Sequence, residues 1–316
     1  MTLTNRPIPT TEYSNASDFV PEPNALYIYG TRVEARTHHL DSWVRSATDL
    51  ELMELEEDGT DAVHIASNPT RKAMLRDVGE LEALLGPDVS RPLYLDITGL
   101  SSHVWPAILK VARELRFQIQ VMYVEPRDYA YSASPRENVF FDLSVLISGI
   151  SPIPQFNNLR EPDENEVALI PLLGFEGARF KHLLEDVQPE SGNVSPVVGV
   201  PGFRAEYPFF TYQGNQMPLK DSDAWQGVRL AKANCPFSLY YCLQDIVADY
   251  PKDMFFKIGL IGTKPHALGA VLYCLQHEEN VELIYDHTIR KADRSTGLST
   301  CLVYPVSEFL DRASRI

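Results

Sequence analysis

The chain of 316 residues is poor in cysteine, poor in positive charge and free of long apolar runs. Its four cysteines, Cys235, Cys242, Cys274 and Cys301, include no C-x-x-C pair, which leaves a zinc ribbon or a thioredoxin-type motif without support. Each sits in an apolar stretch, the setting of a buried reduced thiol, so a cytoplasmic location is expected. Lys and Arg number 28 against 43 Asp and Glu, a formal net charge of −15. A broad duplex-binding surface needs clustered cations, so no such surface is expected, although a single pocket can be positive inside an acidic protein. The longest apolar runs, at 167–173 and 258–261, fall far below the roughly 18–20 residues of a membrane span. The opening residues carry no apolar stretch of the secretory kind, and no membrane partner is expected. The Walker A loop, G-x-G-x-x-G, G-x-S-x-G and H-E-x-x-H are all absent. Neither a metal nor a cofactor is expected.

What the chain does have is a rhythm of apolar strands and helices. In residues 25–125 the spacing predicts strands at 25–29, 61–66, 92–97 and 117–124, with helices at 40–55, 72–85 and 104–115. In residues 165–316 it predicts strands at 167–172, 196–200, 255–261 and 281–285, with helices at 177–187, 238–248 and 266–276. A last strand at 298–303 is expected to pair antiparallel with 281–285. Strands alternating with helices of this length imply crossover units and parallel pairing. The expected fold is α/β, with two Rossmann-like halves and mostly parallel sheets. Residues 1–24 read as an arm. Residues 126–164, dotted with Pro126, Pro135, Pro152, Pro154 and Pro162, read as a linker or excursion.

In open α/β sheets, ligands lie beyond the carboxyl ends of parallel strands, and several such ends carry suggestive residues. The stretch from Ile258 to Ala270 runs from a strand into Gly262-Thr263-Lys264 and then a helix of small residues. Gly262 permits close backbone approach, Thr263 offers a hydroxyl, Lys264 a charge, and the helix start a favourable dipole for an anion. The stretch from Asp96 to His103 offers Thr98, Gly99, Ser101, Ser102 and His103 as partners for a ribose or phosphate. Ser101 or Ser102 also reads as a simple helix cap. Gly174 and Gly177 bracket Phe175 and Glu176, with Arg179 following. Residues 199–208 end a strand in an aromatic loop. Arg290, Lys291 and Arg294 make the densest cationic loop of the second half. Among titratable groups, Asp96, Glu176 and His266 are the candidates for moving a proton.

The strand followed by Gly262-Thr263-Lys264 and a small-residue helix resembles the signature loop of CARF-type domains, Rossmann-like sensors of cyclic or linear oligonucleotide messengers in bacterial and archaeal antiviral systems. That loop usually reads T-G-G-T-K; here Leu260-Ile261 stand where the first Thr-Gly would be. Asp96-Ile97-Thr98-Gly99 is similar to the start of the same motif. The resemblance implies that Gly262, Thr263 and Lys264 contact a messenger's phosphates, and that a small nucleotide is the ligand. Typical relatives carry a fused effector, for which no signature is seen here, so a separate effector protein and a homodimer are the partners to expect. An enzyme acting on a nucleotide or sugar phosphate, of hydrolase or ring-nuclease type, is the alternative. An interaction subunit whose loops only cap helices is the third.

Overall fold

The structure, a computed structural model, describes residues 10–313 apart from 33, 45–48, 137, 138, 159, 161, 164, 165, 292 and 293. The first part contains strands β1 (Thr11–Tyr13), β2 (Leu26–Gly30), β3 (Glu51–Asp58), β4 (Ala62–Ile65) and β5 (Asn68–Met74), helix α1 (Val78–Leu85), strand β6 (Pro92–Asp96), helix α2 (Trp105–Glu114) and strand β7 (Gln118–Val124). The excursion carries short strands β8 (Asp128–Tyr129), β9 (Tyr131–Arg136), β10 (Val139–Phe141), β11 (Ser144–Ile147) and β12 (Ser151–Pro152). The second part contains β13 (Val167–Pro171), α3 (Gly177–Val187), β14 (Val197–Gly199), α4 (Tyr207–Gly214), α5 (Gln216–Asp221), β15 (Arg229–Ala231), α6 (Pro236–Ala248), β16 (Phe255–Gly259), α7 (Lys264–Cys274) and β17 (Val281–Tyr285). It closes with β18 (Thr288–Arg290), β19 (Ser295–Thr296), β20 (Cys301–Pro305) and α8 (Val306–Ala313).

Two sheets organise the molecule. The first is ordered β1-β20-β7-β6-β2-β3-β4-β5. Its centre, β7-β6-β2-β3, is parallel, and both flanks are antiparallel, so it is mixed rather than mostly parallel as the sequence pattern suggested. The second sheet runs β12-β17-β16-β13, with β13, β16 and β17 parallel and β12 antiparallel. The parallel pair β14-β15 extends it beyond β13 through the bridge Leu172↔Val197. The chain therefore leaves β13 toward one side and later returns on the other, placing a topological switch point between β13 and β16.

Packing follows the period-2 alternation of the strands. Ile28, Leu95 and Val121 face one way from the first sheet and join an apolar cluster that runs through Trp105 and Ile108 of α2 and Leu268 and Val271 of α7 to Ile170, Ile258 and Leu283 of the second sheet. Their neighbours Tyr27, Tyr29, Tyr94 and Met122 face the opposite way, onto Phe19, Leu40 and Trp43. Leu169, Ile261 and Ile284 face outward from the second sheet onto Phe180, Leu183 and Leu219. Each fully buried aliphatic or aromatic side chain contributes roughly 1.5–3 kcal/mol. Helix α7 is buried along its whole length between the sheets, which accounts for its Ala, Gly and Leu content. At Gly269 a Cβ would come within 2.4 Å of the Pro236 carbonyl oxygen, so α6 and α7 touch backbone to backbone there.

Several sequence expectations need correction. Residues 40–55 are not one helix: a 3-10 segment spans Ala35–Ser42, and Glu51–Asp58 is a strand with Met53 and Leu55 buried and Leu52 exposed. The predicted helix at 72–85 begins only at Val78, where Asp77 caps it by accepting from the Glu80 N–H at 3.0 Å. The closing strand does not pair with 281–285. It returns to the first sheet, antiparallel to β7, and β1 of the expected arm lies along its other edge. The reason is burial: Leu302 and Tyr304 are fully enclosed there, with Tyr304 donating to the Asn234 carbonyl at 2.8 Å and packed edge-on against Phe237.

Tyr304→Ala is expected to lower unfolding free energy by about 3–5 kcal/mol, because a large buried ring is removed. Urea denaturation checks this; a loss below about 1 kcal/mol contradicts the placement of the last strand.

Candidate functional site

The carboxyl ends of both parallel sets point at one cavity. Its enclosed space is about 130 Å³, or about 1000 Å³ of non-atom space when the open mouth is included. All five stretches singled out in the sequence reach it: Ser102 after β6; Gly174, Glu176 and Arg179 after β13; Gly199 at the end of β14, with Gly202, Phe203 and Tyr207 after it; Gly262, Thr263 and Lys264 after β16; Thr288 and Arg294 after β17.

The floor is made by two glycine loops side by side at the switch point. At Gly174 a Cβ would lie 2.6 Å from the Ile261 carbonyl oxygen, and at Gly262 one would lie 2.7 Å from the Leu172 carbonyl oxygen. Only glycine lets both loops approach this closely. The backbone N–H groups of Gly174, Phe175, Gly262 and Thr263 donate no hydrogen bond to any described residue. Thr263 caps α7, its hydroxyl accepting from the His266 N–H at 3.3 Å and donating to the Ala233 carbonyl at 3.0 Å. Unengaged amides beside a capped helix start are an arrangement suited to an anion.

Lys264 does not project as a solvated charge. Its ammonium is buried and donates to the backbone carbonyls of Ile97, Thr98 (2.7 Å) and Leu100 (2.6 Å), three acceptors for three N–H bonds. The lysine of the Gly-Thr-Lys motif is thus a tie from α7 to the loop after β6. The direct phosphate contact expected of it is not what this geometry provides.

The opposite wall carries a network of arginines, carboxylates and phenols. Glu34 accepts from Arg36 at 2.8 Å and from Arg294 at 2.7 and 3.0 Å, so one carboxylate serves two guanidiniums. Arg36 also donates to the Tyr123 hydroxyl at 3.0 Å, and Tyr123 donates to Glu125 at 2.5 Å. Burial pushes the Glu125 carboxyl up to about 7, against the pull of Tyr123 and Arg36. Arg179 forms a bidentate pair with Asp286, both bonds at 2.6 Å, and donates to the Ile261 carbonyl at 3.2 Å. Tyr129, Phe175 and Tyr207 pack ring on ring beside these groups, with centroids 5.1–6.0 Å apart.

The other predicted residues are engaged by protein partners or lie away from the cavity. Asp96 is buried below the first sheet, 3.1 Å from His39 and from the Tyr27 hydroxyl, and accepts from the Thr98 N–H at 2.8 Å. Burial disfavours both charges, yet mutual attraction wins: His39 is raised and Asp96 lowered, which favours an internal ion pair. Glu176 lines the cavity but accepts from the Leu143 and Ser144 N–H groups, each at 2.9 Å, and from the Ser144 hydroxyl at 2.8 Å, so it clasps the excursion. His266 is fully buried and bonded to the Lys232 carbonyl at 3.1 Å; burial lowers it to about 4, leaving it neutral. The Thr98 hydroxyl accepts from the Val124 N–H, Gly99 packs against Gly30, and Ser101 bonds Glu57. His103 stacks on Tyr285 and lies tilted against His287, Gly177 abuts Gly214, and Lys291 pairs with Asp142 at the surface. The Arg290 side chain lies outside the described part.

A scan of protein-family models gives no match to this chain, and neither does a search of curated proteins. The geometry therefore carries the functional argument. Among the described residues no helix is long and apolar enough to cross a membrane, and no group of three His, Cys, Asp or Glu gathers as a metal site. Arg36, Tyr123, Glu125 and Tyr129 are the wall residues that sequence reading missed, whereas Tyr207 belongs to the aromatic loop it singled out. The one signal available was position: Glu125 directly follows a predicted parallel strand, where functional groups concentrate.

Lys264→Met strands three buried carbonyls and is expected to cost about 1–3 kcal/mol in urea unfolding without any ligand; an unchanged stability contradicts the tie. Glu125 supplies a pH signature. Its folded value stands above its ordinary 4.5, so its stabilising contribution is complete below about pH 4.5 and is lost as pH rises through about 7. Between pH 5 and 8 the native protein should lose on the order of 3 kcal/mol relative to Glu125→Gln. Equal pH slopes for the two proteins contradict this.

Proposed function

We propose that this chain is a nucleotide-binding protein, holding the phosphate of a small ligand at the two glycine loops and its ring against the aromatic wall. The observation that carries the reading is the pair of close-packed loops, Gly174-Phe175 and Gly262-Thr263, which both line the cavity and whose amides have no partner among the described residues. They stand at the carboxyl ends of adjacent parallel strands where the connection order reverses, which is where α/β sheets bind ligands. The strand orders β3-β2-β6-β7 and β15-β14-β13-β16-β17 match two common doubly wound orders, which supports a reading as two Rossmann-like halves. Planar rings and paired guanidiniums on the wall suit a base attached to an anion.

Binding rather than turnover is the function proposed. Asp96, Glu176 and His266 are each committed to protein partners, which favours a sensor over a hydrolase. The resemblance of Gly262-Thr263-Lys264 to the CARF loop adds the context: a cytoplasmic receptor in an antiviral system that passes its signal to a separate effector protein. The cavity encloses about 130 Å³ and widens into an open mouth, so a mononucleotide would lie partly in the enclosed space and partly in the mouth. A cyclic oligonucleotide needs the Glu176 clasp on Leu143 and Ser144 to open.

Thermal melting with 5′-nucleoside monophosphates, cyclic oligonucleotides and the bare nucleosides tests the reading. A phosphate-bearing compound at about 100 times its dissociation constant should add about 2.7 kcal/mol, while the nucleoside adds far less. Chromatography after incubation should return the ligand unchanged. No shift with any phosphate compound contradicts the proposal.

A further inference from the structure

Glu125 is the least expected group in the cavity. It is 4% exposed, and among the described residues no Lys, Arg or His nitrogen comes within 4 Å of its carboxylate oxygens. The guanidiniums of Arg36 and Arg294 on the same wall are both paired with Glu34. Glu125 is left with phenols: Tyr123 donates at 2.5 Å, and the Tyr129 hydroxyl also supports its charge. A carboxylate offers about four acceptor sites, and two phenols take about two of them. A buried acid without a counter-ion is costly, and the cost is recovered when a ligand brings donors to it. The rings of Tyr129, Phe175 and Tyr207 stand beside it, so the donors most readily brought there are those of a flat ring.

We propose that Glu125 is the specificity-determining residue of this cavity: its carboxylate receives two coplanar N–H donors of a planar base, the arrangement on the Watson–Crick edge of guanine. This rests on the nucleotide reading above and adds to it which base is chosen. Guanine presents N1–H and N2–H side by side. Adenine presents one N–H donor beside a ring acceptor, and that acceptor meets the carboxylate lone pairs unfavourably. Hypoxanthine keeps N1–H and lacks the second donor. Hydrogen bonds to a charged acceptor are worth about 10- to 100-fold in affinity, so the three bases should separate on that scale.

The pH dependence has a defined sign. The groups facing Glu125 are Glu34, just before the 3-10 segment, Arg36 within it, Tyr123 from β7, Tyr129 from β8, Tyr207 from α4, Arg294 from the loop before β19 and Tyr304 from β20. Arg36 and Arg294 hold their charge in salt bridges with Glu34, and burial raises all four phenols, so Glu125 is the group in this set that changes charge between pH 6 and 8. The guanine complex uses the ionised form and should tighten as pH rises across that interval.

The experiment is calorimetric titration of the full chain with GMP, IMP, AMP and ribose 5-phosphate at pH 6, 7 and 8, repeated with Glu125→Gln and Glu125→Asp variants whose folding is checked by circular dichroism. The expected result is GMP tighter than AMP by at least tenfold at pH 8, IMP between them, and a smaller ratio at pH 6. Glu125→Gln should bring the GMP-to-AMP ratio near one while ribose 5-phosphate affinity stays unchanged, and Glu125→Asp should retain part of the preference. If ribose 5-phosphate binds but GMP and AMP bind equally, or the preference survives in Glu125→Gln, the assignment of Glu125 is overturned and the phosphate cradle stands. If no phosphate compound binds, the nucleotide reading falls and this assignment with it.

Discussion

One buried ammonium joins the two sheets. Lys264 opens helix α7 of the second sheet and spends its N–H bonds on three consecutive-turn carbonyls after β6 of the first. The arrangement fixes how far apart the carboxyl ends of the sheets stand, and hence the width of the cavity between them. A lysine in this position is costly to bury, and the cost is offset only because every donor finds an acceptor. The same tie accounts for the glycine at position 262: with Lys264 anchored in one direction, the loop before it must lie against the carbonyls of Leu172 and Leu173, where a side chain has no room.

Charge in the cavity is arranged rather than simply positive. Four cations and two carboxylates line it, and Glu34 and Asp286 stand behind as partners of three of those cations. An acidic protein can hold an anion this way, since the guanidiniums keep their geometry through their partners and the backbone amides supply the remaining attraction. The excursion after β7 completes the enclosure. Glu176 clasps it through three hydrogen bonds, and Leu143 then closes one side of the cavity.

Much of this was legible locally. Helix 177–187 coincides with its predicted range, and the glycines before it and before α7 stood out as strand-to-helix turns. What failed were features decided by distant partners. Leu50, Leu52, Met53 and Leu55 fit a helical and an extended period about equally, and pairing with β2 chose the strand. The last strand looked for a neighbour close in sequence and found one about 180 residues away, in β7. Lys264 read as a phosphate ligand because its three carbonyl partners come from a loop that no spacing rule connects to it. Asp96 read as a catalyst because strand-end position was visible and its burial with His39 was not. Glu125 and Arg36 were passed over for the converse reason, since their meaning comes from Tyr123 lying between them.

The central claim is that amides of two glycine loops hold a ligand's phosphate. Amide proton–nitrogen spectra of the labelled protein, recorded while a 5′-nucleoside monophosphate is added, test it most directly. The account predicts saturable downfield shifts of the Gly174, Phe175, Gly262 and Thr263 amides, with the surface helix α1 unmoved. Saturable binding that leaves those four amides in place while others shift would contradict it.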